Sequence, residues 1–529
     1  MIDLVHFCTR LSAACSDDSL KAVRLLPHEI AVYLSAESLP RAVHTLRNEF
    51  GAIFVDLFGV DRRSSYNVYQ FHLIFALDSE QTWLHLNADL DERDPSFPGL
   101  ADELPATGWY EREIWEELGL TPRGHPMLRR LRLPPDWPAE VHPRTQTFNW
   151  GQQVEAAEPR YFHLEPAPAG VVDYPLGPVR SGIVESGHYT LRTVGEEIVD
   201  MYLQLFYKHR GIEKRAEGLP IEFVPLVAER ISGTSAFAHS LAFCQAVENL
   251  VEVEIPPRAR YLRTLLAELE RLYNHLGYQS DLCQATGLTV AQAQFDILKE
   301  RALRLNAAIS GHRYLFGMNV PGGLSRNLTE QQQKAVHDLV VMLRHDLETL
   351  QKLLSASSSH RDRLENTGIL SPREAQAYCA VGPIGRASGI DRDLRRDHPY
   401  AAYADIDFDI PVLQEGDAMA RSHIRLEETT QSLRIIEQAL ERLPWGAVHI
   451  PIRPLLPGES ASGWVESARG ECVHWLLVGE DGTLQHYRVR PASFANWQAF
   501  SIAIPGQNIL TDFPIIEQSF GLSYAGADR

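Results

Sequence analysis

Closely spaced cysteines are the first thing this sequence lacks. A disulfide framework, or a self-contained zinc or iron–sulfur site, needs cysteines that recur at short spacings. No such pair occurs here, and the pattern predicts reduced, mostly buried thiols. The six cysteines are scattered along the chain: Cys8, Cys15, Cys244, Cys283, Cys379 and Cys472.

Long apolar runs and clustered positive charge are also missing. No run approaches the ~18 apolar residues that span a bilayer, and the N-terminus has no basic region followed by a long apolar core. We therefore expect a cytoplasmic protein with no direct membrane span. The formal net charge is −19, with 50 Lys and Arg residues mixed among 69 Asp and Glu residues. This balance argues against nucleic acid as a partner, because phosphate binding needs clustered cations.

The chain is long enough for more than one domain. It has 529 residues and 44% hydrophobic content, beyond the roughly 250–300 residues at which single cores stop growing. Residues 1–133 alternate strand-like runs, such as AIFVDLFGV and YQFHLIFAL, with helical pieces, which predicts a small α/β domain. Residues 134–176 are proline-rich and aperiodic, which predicts an extended linker. Residues 177–529 form the second predicted domain.

Helical periodicity dominates this second domain. Leucines recur at three- and four-residue steps in 256–278, and a capping-box pattern at Thr329 begins another apolar stripe. A third helix is predicted through 420–443, ended by Pro444. Residues 471–494 alternate apolar and polar side chains around a glycine turn, as a β-hairpin does. The predicted fold class is α+β: a small α/β domain, then a mainly helical domain with a small β portion.

A helix rich in alternating charges lies near the end of the first domain. Taken alone, such charges are typical of a solvent-exposed face. The order of parts is more specific: Trp-Tyr-Glu-Arg-Glu at 109–113, then Gly-His-Pro at 124–126, then Leu-Arg-Arg at 128–130. This order resembles the small accessory (30-kDa-type) subunit of respiratory complex I, which in some bacteria is fused to the quinone-site subunit. The resemblance implies a docking domain, not a catalyst.

The second domain resembles the same superfamily over essentially its whole length. Its motifs include GPVRSGIVESGHYTL (177–191), YKHRGIEKRAEG (207–218) and GPIGRASGIDRDLRRDHPYAAY (382–403). The last of these, with VESARGE (465–471) and RPASFANW (490–497), is similar to the large subunits of group 4 energy-converting [NiFe] hydrogenases of the formate hydrogenlyase type. Several motifs in the same order make the resemblance specific.

The metal-binding cysteines of that family are absent. In such hydrogenases one CxxC lies in Glu-Arg-Ile-Cys-Gly-Ile-Cys-Gly and a second near the C-terminus in Cys-x-x-Cys-Thr-Asp-Arg, and together they hold nickel and iron. The matching positions here are Ser232, Ser235, Ser523 and Gly526. Nickel and low-valent iron need soft thiolates, whereas serine offers a hard, neutral hydroxyl. We therefore expect no nickel–iron centre, no metal in this chain and no hydrogen chemistry.

The quinone-binding pair of the complex I branch is also altered. That branch holds the quinone headgroup between a His on a hairpin and a Tyr. Here Arg180 stands at the first His position of the hairpin, Ser186 or His188 lies near the second, and Gly233 stands at the Tyr position. His188, Tyr189 and Tyr524 have the chemistry to replace the pair if they converge on the cavity, because imidazoles and phenols donate hydrogen bonds and protons to a reduced quinone.

Five further residues match the surroundings of the hydrogenase active site: Glu185, Arg230, His239, Asp391 and Arg469. The resemblance makes Glu185 a proton-relay carboxylate and Arg469 the arginine beside the iron ligands, with Ala468 replacing the usual proline. Each has a simpler interpretation as well. Arg230 and Asp391 also fit a buried ion pair, and His239 also fits a hydrogen-bonded core histidine.

The resemblance further implies partners and cofactors. We expect an iron–sulfur small subunit that carries a [4Fe-4S] cluster, a ferredoxin-like subunit, and membrane-embedded complex I-like and antiporter-like subunits. The chain would then lie on the cytoplasmic face of the inner membrane, held there by those subunits. NAD would serve only the assembly, since no GxGxxG fingerprint follows a strand here.

Three functions remain open at this point. The first is a subunit of a complex I-like assembly that forms a quinone or other acceptor site coupled to ion pumping. The second is a redox-inactive scaffold that links a soluble partner to antiporter-like membrane subunits. The third, an active hydrogenase, is disfavoured by the missing thiolates.

Overall fold

A computed structural model describes residues 3–162, 164–180 and 185–529. Three predictions therefore fall partly outside the described residues: the first domain at residues 1–2, the linker at His163, and the 177–191 motif at residues 181–184. Within the described ranges, no helix is both long and apolar enough to cross a membrane. The chain forms two units. The first comprises Met1–Pro166, Gln204–Tyr207 and Ala377–Cys379, and the second comprises Ala167–Leu203, Lys208–Gln376 and Ala380–Arg529.

The first unit is built on a five-stranded sheet. Its elements are α1 (Leu4–Cys15), β1 (Lys21–Leu26), β2 (Glu29–Tyr33), α2 (Leu39–Phe50), β3 (Ile53–Asp61), α3 (Arg63–Tyr66), β4 (Val68–Leu77), β5 (Thr82–Asp91), β6 (Ser96–Pro98), α4 (Gly108–Leu118) and β7 (Thr121–Arg123). The strand order is β1-β2-β5-β4-β3, with β2 and β5 parallel and the other neighbours antiparallel. The runs AIFVDLFGV and YQFHLIFAL lie in β3 and β4, buried along almost their whole length because the sheet is covered on both faces.

The charged face of α4 is buried, so the expectation of a solvent-exposed face is wrong. The Glu116 carboxylate accepts hydrogen bonds from the backbone N–H groups of Leu131 and Arg132, at 2.9 and 2.6 Å. Arg112 donates to the carbonyl oxygens of Arg129 and Arg130, at 2.8 and 2.7 Å. These charges fasten the segment after β7, which has no regular structure of its own, against the helix.

The second unit is mainly helical. Its elements are β8 (Val172–Leu176), β9 (His188–Val194), β10 (Glu197–Gln204), α5 (Ile212–Ala216), α6 (Val224–Ala228), α7 (Ala236–Leu250), α8 (Pro257–Thr286), α9 (Thr289–Ser310), β11 (Asn319–Val320), β12 (Gly323–Leu324), α10 (Glu330–Ala356), α11 (Ser358–Leu364), α12 (Pro372–Ala377), α13 (Gly382–Ala387), α14 (Leu394–Asp397), α15 (Ala418–Glu441), β13 (Ser460–Ser467), β14 (Gly470–Val478), β15 (Leu484–Arg490), α16 (Ala492–Ala503), α17 (Phe513–Phe520) and α18 (Tyr524–Asp528). This content confirms the predicted α+β fold class.

The long helices follow the predicted stripes, with one shorter than expected. The periodic leucines of α8 and α10 are buried, and the capping box at Thr329 is formed with Gln332. Helix α15 ends at Glu441, before Pro444, so Leu443 lies beyond the helix and is only partly buried. The residue before a proline disfavours helical geometry, which explains why the helix stops early.

A three-stranded sheet, in the order β13-β14-β15, packs against α7. Strands β14 and β15 form the predicted antiparallel hairpin. Strand β14 is buried along its whole length, so its polar side chains point into the protein and not toward solvent. The close approach of β13 to α7 depends on Gly463, where a Cβ would collide with the backbone of Ala242 and Ala246. The fold thus presses polar residues of β14 against α7.

Candidate functional site

The four positions that match the hydrogenase thiolates lie together. Ser232 and Ser235 precede α7, whereas Ser523 and Gly526 lie at the start of α18. The hydroxyls of Ser232 and Ser523 share a hydrogen bond of 3.2 Å, and the Ser523 hydroxyl accepts the N–H of Gly526 at 2.9 Å. A Cβ on Gly526 would lie 3.7 Å from the Ser232 Cβ. Two segments 291 residues apart therefore build one site.

These four residues line a small polar cavity, the Ser232 cavity. Five of its lining residues are serines, and His239, Arg469 and Cys472 line it as well. Its volume is about 10 Å³, close to the space that one ordered water needs. A cavity of this volume has room only for a molecule of very few atoms.

Arg469 is held in place by a tight turn. It precedes Gly470, whose φ of 120° favours glycine and where a Cβ would lie 2.7 Å from the backbone nitrogen of Gly382. The guanidinium donates to the Thr234 hydroxyl at 3.0 Å and to the Asn274 side-chain oxygen at 2.9 Å. The arginine that the resemblance placed beside the iron ligands therefore lies in the cavity wall, with Nε and Nη1 of its guanidinium hydrogen-bonded.

His239 belongs to a buried polar cluster that sequence reasoning missed. Its Nδ1 lies 3.0 Å from Nε2 of His474 and 3.4 Å from the Cys472 sulfur. The Tyr487 hydroxyl lies 2.7 Å from the other ring nitrogen of His474. Burial lowers the pKa of His239 to about 3, so both imidazoles are neutral near pH 7. Cys472 and His474 are two residues apart on one strand, so their side chains lie on the same face. This Cys-x-His spacing was the signal available in the sequence.

Glu270 of α8, a carboxylate that sequence reasoning also missed, supports the start of α7. It accepts the backbone N–H groups of Phe237 and Ala238 at 2.8 and 3.0 Å. Burial raises the pKa of Glu270 to about 8, because a carboxylate there loses its hydration. The group can thus exchange a proton near neutral pH.

Tyr524 does not line the Ser232 cavity but joins a neighbouring cluster. Its hydroxyl donates to Glu517 at 2.5 Å and lies 2.6 Å from the Tyr189 hydroxyl. Arg180 pairs with the same carboxylate at 2.5 Å. Burial, followed by the nearby Glu517 charge, raises the pKa of Tyr524 above its usual range. Glu517 is the member of this cluster that sequence reasoning missed.

Glu185 and His188 lie near this cluster in sequence but differ in their contacts. The Glu185 carboxylate accepts the backbone N–H groups of Tyr524 and Ala525 at 2.9 and 3.0 Å. It therefore fixes the start of α18. His188 begins β9, its Nε2 lies 3.4 Å from the Thr190 hydroxyl, and its buried Nδ1 has no hydrogen-bond partner among the described residues. Neither residue lines the Ser232 cavity.

Arg230 and Asp391 lie at the surface, so the alternative of a buried ion pair between them is wrong. The Arg230 side chain is 57% exposed and stacks over Phe316 at 5.2 Å. The Asp391 side chain is 63% exposed and pairs with Arg396 at 2.7 Å. Neither residue lines the Ser232 cavity.

A buried network of charges fills the core behind the site, and we call it the Glu428 network. Glu428 binds Arg386 at 2.6 Å and His275 at 2.8 Å, and Arg386 also reaches Glu466 at 3.0 Å. Although burial opposes it, Arg386 lowers the pKa of Glu428 well below its usual value. All members are essentially inaccessible to solvent: Glu268, Arg271, His275, Arg386, Asp393, Arg395, Glu428 and Glu466.

Three family models match successive parts of the chain. The model described as the respiratory-chain NADH dehydrogenase 30 Kd subunit matches residues 32–154, and that of the 49 Kd subunit matches residues 285–455. The nickel-dependent hydrogenase model matches residues 210–286, the segment that holds Ser232 and His239.

Characterised relatives cover nearly all of the chain. Formate hydrogenlyase subunit 5 of Escherichia coli is 31% identical over 99% of this chain and 93% of its own length, and hydrogenase-4 component G of the same organism is 32% identical over 96% and 89%. The C/D polypeptide of the NADH-quinone oxidoreductase of Gluconacetobacter diazotrophicus is 28% identical over 94% and 92%.

A solved structure shares the fold. It is a chain of the membrane-bound sulfane sulfur reductase, an archaeal respiratory membrane complex, with a TM-score of 0.65 and 27% identity over 69% of this chain and 100% of its own. The resemblance found in the motifs is thus confirmed over the whole length. The chain belongs to the family of complex I-like and [NiFe]-hydrogenase-like large subunits that includes formate hydrogenlyase subunit 5.

Proposed function

We propose that this chain is the hydrogenase-like subunit of a membrane-associated complex I-like oxidoreductase, that it holds no nickel–iron centre, and that it contributes an acceptor site coupling electron transfer to ion translocation. The observation that carries the proposal is the convergence of Ser232, Ser235, Ser523 and Gly526 in one cavity. Their hydroxyls are hard and neutral, whereas nickel and low-valent iron need thiolates. The donor set does not fit the hydrogenase centre.

The Tyr524 cluster supports a proton-donating role at the acceptor. A phenol bonded to a carboxylate can pass a proton to a reduced quinone, and Glu517 lies within hydrogen-bond reach of both Tyr524 and Tyr189. A quinone headgroup is much larger than one water, so its binding requires the walls of the Ser232 cavity to move apart.

The proposed partners follow from the family. They are an iron–sulfur small subunit with a [4Fe-4S] cluster, a ferredoxin-like subunit, and membrane-embedded complex I-like and antiporter-like subunits, with NAD used only by the assembly. Support comes from relatives named as subunits or components of larger enzymes and from a structural neighbour in a respiratory membrane complex. The chain would lie peripherally on the cytoplasmic face of the inner membrane.

Quinone turnover by the purified assembly tests the acceptor site. We expect quinone reduction, and Tyr524→Phe should lower it roughly 100-fold or more, the usual loss for a missing proton donor. Tyr66→Phe, at an exposed tyrosine of the first unit, is the matched control and should leave turnover unchanged. Absence of quinone-dependent turnover in the wild-type assembly would reject the acceptor site.

Metal analysis of the purified chain tests the loss of the hydrogenase centre separately. We expect no stoichiometric nickel, because none of the four positions supplies a thiolate. One nickel per chain would overturn this part of the proposal whatever the quinone assay shows.

The size of the cavity favours a second candidate, a redox-inactive scaffold between a soluble partner and antiporter-like membrane subunits. A space for about one water suits proton transfer better than substrate binding, and the Glu428 network offers paired groups behind it. In that case Tyr524→Phe leaves electron transfer unchanged, while omission of the chain prevents assembly of the complex.

A further inference from the structure

The His239 cluster has the geometry of a metal site distinct from the hydrogenase positions. Cys472 and His474 are two residues apart on β14, so their side chains share one face of the strand, and His239 reaches that face from α7. One ligand atom from each of the three residues lies within 4.8 Å of the other two. All three residues are buried.

Two of the three separations between these atoms are close to those around a tetrahedral ion. Zinc bonds of about 2.0 Å to nitrogen and about 2.3 Å to sulfur place neighbouring ligand atoms roughly 3.3–3.6 Å apart. The observed separations are 3.0 Å between His239 Nδ1 and His474 Nε2, and 3.4 Å between His239 Nδ1 and the Cys472 sulfur. Small side-chain shifts accommodate an ion at their centre.

The surroundings supply what a bound ion needs. Metal-binding histidines usually bond a partner through the other ring nitrogen, and the Tyr487 hydroxyl lies 2.7 Å from Nδ1 of His474. Both His239 and Cys472 line the Ser232 cavity, which has room for about one water. A water there can fill the fourth position, as in zinc sites with three protein ligands.

We propose that His239, Cys472 and His474 bind one zinc ion, with its fourth position open to the Ser232 cavity. Imidazole nitrogens and a thiolate are the ligands that zinc prefers, and the thiol proton of Cys472 passes to solvent when the ion binds. The site lies beside the four positions that match the hydrogenase thiolates but uses none of them. The zinc proposal therefore does not depend on the proposed function.

Zinc titration of the full chain tests the site. The chain is treated with a chelator, then titrated with Zn²⁺ in competition with a coloured chelator. We expect one tightly bound zinc per chain. Cys472→Ser and His474→Gln should abolish the tight component, and Tyr487→Phe should weaken it roughly 10–100-fold, as loss of an outer hydrogen bond does. Cys283→Ser, which removes a buried thiol outside the cluster, should bind as wild type does.

Cobalt substitution of the wild-type chain gives a readout that needs no variant to fold. Co²⁺ in place of zinc should give a tetrahedral spectrum with a sulfur-to-cobalt charge-transfer band, and Cys283→Ser should keep that band. The proposal is overturned if the wild-type chain binds no tight zinc, if the cobalt spectrum shows no sulfur ligand, or if Cys472→Ser binds zinc as tightly as wild type.

Discussion

The Ser232 cavity and the Glu428 network lie in the same unit, yet they differ in whether the key side chains are neutral or charged. Around the cavity the four hydrogenase positions carry only neutral groups, and the Ser232 hydroxyl bonds another hydroxyl. In the network, Glu428 and Arg386 are fully buried and each binds several oppositely charged partners.

The difference shows which residues depend on each other. A buried charge that loses its partner remains unpaired at a cost of several kcal/mol, so the members of such a network hold one another in place. A neutral hydroxyl that loses a hydroxyl partner costs far less. Serine is therefore tolerated where the hydrogenase family carries metal ligands, whereas the network behind it has no member that can change alone.

Glu428→Gln should give the largest effect on stability. The substitution keeps the shape of the side chain but leaves Arg386 and Arg271 with one fewer counter-charge, which should lower the free energy of unfolding by about 3–5 kcal/mol. Chemical unfolding followed by circular dichroism measures it. The control is Glu437→Gln, which breaks a surface pair with Arg344 and should cost less than about 1 kcal/mol. Equal losses in the two variants would contradict the comparison.

Glu270, which supports the start of α7, should give a smaller, pH-dependent effect. Its pKa is about 8 in the folded chain against an ordinary value of 4.5, so the folded state holds a proton that the unfolded state releases. The resulting stability is complete below about pH 4.5 and is lost as pH rises through 8.

Glu270→Gln should remove this dependence. Between pH 5 and pH 8 the wild type should lose roughly 3–4 kcal/mol more than the variant, since each pKa unit corresponds to about 1.4 kcal/mol. Urea unfolding at the two pH values gives the comparison. Parallel losses in both proteins would show that Glu270 does not hold the extra proton.

Ser232→Ala should give the smallest effect. It removes the neutral hydrogen bonds to Ser523 and Thr234, each worth about 1 kcal/mol. Thermal unfolding compared with Ser355→Ala, at an exposed serine of α10, isolates the contribution of the site. A loss as large as that of Glu428→Gln would mean that the serines are as interdependent as the buried charges.

Local pattern predicted the helices well and the burial of charge poorly. The apolar stripes of α8 and α10 specify one buried face each, because that spacing repeats with the helical turn. The alternating charges on α4 do not show which face is buried. The same residues are compatible with a solvent-exposed face and with a buried face whose charged groups hydrogen-bond to the backbone. Only the segment 129–133, which lies against α4, makes the second arrangement favourable.

The sequence by itself determined the family, the helices and the four positions where thiolates are replaced, because these follow from motif order and short-range spacing. Only the tertiary structure decided that Tyr524 meets Tyr189 beside the cavity and that Cys472, isolated in the chain, meets His239. Those contacts join residues far apart in sequence. Their positions depend on how β14 and α17 pack against helices distant in the chain, which no local pattern of side chains records.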